Sequence, residues 1–153
     1  MPISRRLDRE PTRFGHASLL ALLTVFFALR VVGQALQACL PQPWLPPFAQ
    51  FQGSGLGYAT LLSSQLLILT VMVRLSWRVH TGALRRHAGT GRVLAWIGAV
   101  YLGGSLLRIA VGLALPSAPA WFRAWIPGAF HLVLAGFILV VADFHQRAQR
   151  AAT

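Results

Sequence analysis

From His16 to Leu40 the sequence holds an apolar run long enough to cross a bilayer, with Arg30, Gln34 and Gln37 inside it. Leu19 to Leu29 carries no charge. A hydrocarbon core of about 30 Å takes about 20 such residues in a helix. At a rise of about 1.5 Å per residue, Arg30 lies roughly 20 Å in from Ala17, past the midplane. Steps of four and three residues put Arg30, Gln34 and Gln37 on one helical face. A charge at that depth costs at least about 2.5 kcal/mol on insertion scales, so it calls for a partner or a wet cavity.

Three more apolar segments lie at about 58–77, 93–115 and 129–144, after a first at about 17–40. With 56% hydrophobic and 11% charged residues, the chain is too apolar for an ordinary water-soluble domain, and its 153 residues make one domain. The expectation is an all-α integral membrane protein, a four-helix transmembrane bundle over residues 16–146. A basic segment, 1–15, precedes it and a short tail, 147–153, comes after it. A charged start before an apolar run also suits a signal peptide. This run is too long for one and shows no small-residue cleavage site near Cys39, so it reads as a retained first span.

A net charge of +11 would point to nucleic acid in a water-soluble protein. Its distribution points elsewhere. The positive charge comes entirely from arginine: Arg5, Arg6, Arg9 and Arg13 precede the first span, Arg74, Arg78, Arg85, Arg86 and Arg92 lie around the second connection, and Arg147 and Arg150 come after the fourth span. That pattern places both termini and the Arg85 connection in the cytoplasm, in a bacterium on the inner face of the inner membrane. Anionic phospholipid at the cytoplasmic face is a sufficient partner for it, and nucleic acid is not expected. Trp44, Trp121 and Trp125 then fall at the outer boundary and Trp77 and Trp96 at the inner one, as interfacial tryptophans should. The uncharged connection from Pro41 to Gly57, with four prolines, three glycines, Trp44, Phe48 and Phe51, reads as an interfacial loop, with a cap over the bundle as the alternative.

Alternating span directions bring the polar residues to one level. Arg30, Gln34 and Gln37 of span one, Ser63, Ser64 and Gln65 of span two, Arg108 of span three and His131 of span four all fall in the outer half. In span three, Tyr101, Gly104, Ser105, Arg108 and Gly112 share a stripe; in span four, His131, Ala135, Ile138, Ala142 and His145 do. Small residues on such stripes let helices approach, and polar ones bond across. No acidic residue falls in the outer half of any span. Arg30 and Arg108 are therefore left to glutamine, serine and backbone oxygens, which solvate a guanidinium without neutralising it, or to an anion held by the arginine fork.

Other features read as structural. Cys39, the lone cysteine, has no partner for a disulfide and suits a small packing residue. His16, His80, His87 and His145 mark where helices leave the membrane, as solvated boundary residues or, alternatively, as a pair ligating a b-type haem. Asp143 and Arg147 form a helix-end pair four residues apart. With three acidic residues in the chain, acid–base chemistry has few actors, and no metal-binding cluster or catalytic constellation appears. No repeat between the halves is evident, so an inverted-repeat transporter is not indicated.

The leading expectation is a non-enzymatic small membrane protein. It acts either as an accessory subunit, in a homo-oligomer or larger membrane complex, or as a binder of an anionic amphiphile (a lipid or a carboxylate) in the outer-leaflet layer. The candidate binding residues are Arg30, Gln34, Gln65, Arg108 and His131. A membrane redox subunit holding haem or quinone through His131 or the inner histidines is the alternative, and an oligomeric transporter subunit the second.

Overall fold

The computed structural model describes residues 9–52 and 57–150; residues 1–8 of the basic N-terminal segment, 53–56 of the first connection and 151–153 of the tail lie outside the described residues. The helices are α1 (Arg9–Cys39), α2 (Phe48–Gln52), α3 (Tyr58–His80), α4 (Ala88–Ala114), α5 (Ala120–Arg123) and α6 (Trp125–Arg150). Four are long and apolar enough to cross a membrane, over Phe14–Cys39, Tyr58–His80, Gly89–Ala114 and Trp125–Arg147. This is an all-α, multi-pass membrane protein. Most of its spans run a few residues past the apolar windows, because a helix keeps its own hydrogen bonds into the polar flanks that end a hydropathy signal.

Local chemistry sets the helix ends. Pro41 stands just beyond α1. Gly82 closes α3 in the left-handed conformation, at φ 73°, with its N–H on the Val79 carbonyl at 3.2 Å. That is the usual glycine stop of a helix. Leu115 is extended, at φ −120° and ψ 95°, because Pro116 behind it disfavours the helical region. Pro127 sits in the first turn of α6, where its missing N–H costs nothing.

Close packing joins α3 to α1, α1 to α6, and α6 to α4. Two kinds of contact do this. Leu20, Phe27 and Val31 of α1, Met72 and Val79 of α3, and Phe137, Val141 and Phe144 of α6 form a side-chain core. The α4 helix lies against α6 by backbone approach instead. A Cβ on Gly98 would stand 2.8 Å from the Leu139 side chain, and one on Gly91 2.9 Å from His145 and Gln146. Ala135 and Ala142, on the expected α6 stripe, are fully buried. Gly104, placed on the α4 stripe by spacing, is exposed with nothing within 4 Å of its Cβ position. Its residue type fits a close contact, but no neighbouring helix lies there.

The exterior is apolar. Leu22, Val25, Leu29 and Val32 of α1, Leu67 of α3, and Val100, Leu107 and Leu113 of α4 all face outward, which lipid tolerates and water does not. All five tryptophans are exposed as well. Trp44, Trp121 and Trp125 lie at the end of the helices that carries α2 and α5, the capped end; Trp77 and Trp96 lie toward the basic end. Cys39, the last residue of α1, is exposed rather than packed.

Candidate functional site

Four of the five candidate residues are buried: Arg30 is 8%, Gln34 0%, Gln65 4% and Arg108 5% exposed. His131 is half-buried. Gln37, on the Arg30 face, is buried too and accepts the Gln42 N–H at 2.9 Å, which fixes the chain as it leaves α1. Ser63 and Ser64 face outward, and Ser64 bonds its own helix at the Leu61 carbonyl, so neither joins the layer. Adjacent to Gln65 in sequence, they point away from it because successive helical residues diverge by about 100°.

Pairing between helices puts the buried residues at one level. Gln65 Nε2 donates to Gln34 Oε1 at 3.0 Å, joining α3 to α1. The Arg30 guanidinium lies 5.4 Å from the Phe130 ring centroid, joining α1 to α6. Tyr101 of α4 and His131 of α6 are hydrogen-bonded through the Tyr101 hydroxyl and His131 Nδ1. His131 is within electrostatic reach of both Arg108 and Arg30. The layer thus runs unbroken through all four spans.

Each arginine has a backbone partner that residue spacing does not reveal. Arg30 donates from Nη2 to the Phe51 carbonyl at 3.1 Å. Arg108 donates from Nε and Nη2 to the Trp121 carbonyl, at 3.1 and 2.7 Å, and lies 4.1 Å from the Trp121 ring centroid. Both carbonyls belong to the short helices of the capped end, whose last-turn carbonyls a helix cannot satisfy within itself. Glycine is needed only for the second cap; the first leaves ordinary contact room for a Cβ. The Phe51 ring lies 3.9 Å from a Cβ built on Gly33, and a Cβ on Gly112 would collide with the Phe122 carbonyl oxygen. The connection expected as an interfacial loop is therefore partly a cap, with Phe51 buried beneath it.

The two halves use the same device in the same sense. A helix running toward the capped end carries an arginine that bonds the short helix of the next connection. The correspondence is hidden in sequence because the connections differ in length and the bonded atoms are backbone.

Hydrogen bonding within the layer is incomplete. Arg30 Nε, Gln34 Nε2 and Gln65 Oε1 are buried with no partner among the described residues. A buried unpaired group costs about 1–3 kcal/mol. The layer therefore offers two spare donors and one spare acceptor beside two guanidiniums, with no acidic residue in the capped-end half of any span.

At the basic end His80 and His87 are exposed, as boundary residues should be, but the other two histidines are not simply solvated. His16 and His145 are buried. His16 Nε2 and Asp143 Oδ2 are 2.8 Å apart, and Arg147 donates to the same oxygen at 2.7 Å, as its spacing predicts. His145 Nδ1 accepts the His87 N–H at 3.1 Å. The His16 ring also meets the Phe144 ring edge-on. Their burial comes from the long helices, which extend past the apolar windows and carry these residues into helix contacts. Among the described residues no three His, Cys, Asp or Glu side chains are grouped to hold a metal ion.

No protein-family model, no curated protein and no solved structure is measurably similar to this chain.

Proposed function

We propose that this membrane protein is a non-enzymatic binder of an anionic amphiphile, whose phosphate or carboxylate head is held in the layer of Arg30, Gln34, Gln65, Arg108 and His131. One observation carries the reading: two guanidiniums are buried at one level without a carboxylate, and Arg30 keeps an unpaired Nε. The carbonyl bonds do not remove that imbalance. A hydrogen bond to a charged donor contributes about 1.5–3 kcal/mol, comparable with the roughly 2.5–3.5 kcal/mol insertion cost of an arginine. The arginines are thereby stable where they are, but their charge is not neutralised. A water molecule can satisfy the same spare atoms; an anion satisfies them and supplies the missing charge.

The layer supplies donors and positive charge rather than a nucleophile with a base, which suits binding and not catalysis. The reading takes the capped end as the outer one and the arginine-rich end as cytoplasmic, in keeping with the distribution of arginine.

The test is native mass spectrometry of the protein in detergent, comparing wild type with Arg30→Gln and Arg108→Gln. The expected result is a phosphate- or carboxylate-bearing adduct of wild type that depends on both arginines, reduced about tenfold in each variant, as loss of one charge-assisted contact implies. Arg108→Lys recovers part of it, since a point charge replaces a planar fork. Equal adduct in all four proteins would make the arginines purely structural.

A further inference from the structure

A second site of different chemistry lies at the basic end. Between the first turns of the α1 span and the last turns of α6 runs an open groove of about 450 Å³, lined by Gly15, His16, Leu19, Leu139, Val140, Asp143 and Arg147. Its floor, Gly15, Leu19, Leu139 and Val140, is apolar. Its polar lip is the His16–Asp143–Arg147 cluster. That division, apolar stem and polar head, matches an amphiphile lying along the helices with its head at the membrane surface.

The bonding at the lip defines the head. Both contacts to Asp143, from His16 and from Arg147, fall on Oδ2. The other carboxylate oxygen makes no hydrogen bond among the described residues. Arg147 bonds through Nε alone, so its terminal nitrogens remain available. Both side chains are partly exposed, at 38% and 46%. The lip therefore presents an anionic acceptor and a cationic donor side by side. A head that answers both carries a phosphate for the guanidinium and, close by, an ammonium with N–H donors for the carboxylate.

We propose that this groove binds a phospholipid with a phosphoethanolamine head, taken from the leaflet at the basic end, with one acyl chain against Leu19, Leu139 and Val140. The charge pattern selects among lipids. Phosphocholine has no N–H to give to Asp143, and phosphoglycerol has no positive charge to set against it. The site is separate from the capped-end layer and does not rest on the function proposed for that layer.

The experiment uses the full chain, delipidated in detergent and titrated with dioleoyl phosphatidylethanolamine, phosphatidylcholine or phosphatidylglycerol, with bound lipid read by native mass spectrometry. Wild type should retain one phosphatidylethanolamine about tenfold more strongly than either other lipid, the worth of one charge-assisted contact. Asp143→Asn should abolish the preference over phosphatidylglycerol, and Arg147→Gln should weaken all three. Since Asp143 also holds His16, a third variant guards against misfolding. A Cβ on Gly15, in the groove lining, meets nothing within 4 Å, so Gly15→Leu can add bulk to the groove floor without touching Asp143 or Arg147 and should weaken the bound lipid. Equal retention of the three lipids by wild type, or a preference for phosphatidylglycerol, would overturn the proposal. So would unchanged phosphatidylethanolamine binding in Gly15→Leu. Arg30→Gln leaves this adduct in place, which separates it from any ligand of the capped end.

Discussion

Arg108 and Trp121 are joined three ways: Nε and Nη2 of the guanidinium both donate to the Trp121 carbonyl, at 3.1 and 2.7 Å, and its carbon lies 4.1 Å from the indole centroid. The contact ties α5, a single turn of helix, to the side of α4. Arg108→Lys keeps the charge but loses the fork and most of the flat stacking, so it should destabilise the protein by about 1–2 kcal/mol. In a domain of this size that corresponds to a fall of roughly 2–8 °C in Tm. A thermal melt in detergent that matches wild type would show that the cap contact contributes nothing.

Gly112 makes the same junction sterically. A Cβ there would run into the Phe122 carbonyl oxygen and stand 2.8 Å from its carbon, both backbone atoms that no rotamer change can move. Gly112→Ala should therefore displace α5 and destabilise by about 1–3 kcal/mol, in the range of overpacking. Gly104→Ala is the control, with nothing within 4 Å; it should be neutral or slightly stabilising through helix propensity. Comparable melts for the two variants would contradict the assigned packing.

Gln34 and Gln65 share one hydrogen bond across α1 and α3. Replacing Gln34 alone by Leu strands Gln65 in a buried site and should cost about 1–3 kcal/mol. Gln34→Leu with Gln65→Leu removes both polar groups and should recover most of that loss. Its coupling energy should be about 0.6 kcal/mol or more, the average for polar pairs in membranes. Strict additivity in the double-mutant cycle would mean that the amides do not interact.

Cys39 is the chain's single cysteine and is exposed at the capped end of α1. With the arginine-rich end in the cytoplasm, a membrane-impermeant maleimide should label Cys39 in intact cells. In a Cys39→Ser background, Arg85→Cys should be labelled only after the membrane is opened. The reverse pattern would invert the topology, and with it the leaflet assigned to each site.

Length and period, both properties of the sequence by itself, determined the spans and their inward faces. Four spans were legible because a bilayer sets one thickness, and an apolar run either reaches it or does not. The inward faces of Arg30, Gln34, Gln37, Ser105 and Arg108 were legible because helical geometry repeats every 3.6 residues. Alternating directions then placed these faces at one level. Only the tertiary structure decided what meets those residues. The partners of Arg30 and Arg108 are carbonyl oxygens, a group that every residue carries, so residue type gives no sign of Phe51 or Trp121. Gly98 packs and Gly104 does not, although either would permit a close approach, because the path of α6 determines which one has a neighbour. His16 finds Asp143 from 127 positions away for the same reason. Local periodicity fixes where a side chain points, whereas the atoms it meets depend on how separate helices cross.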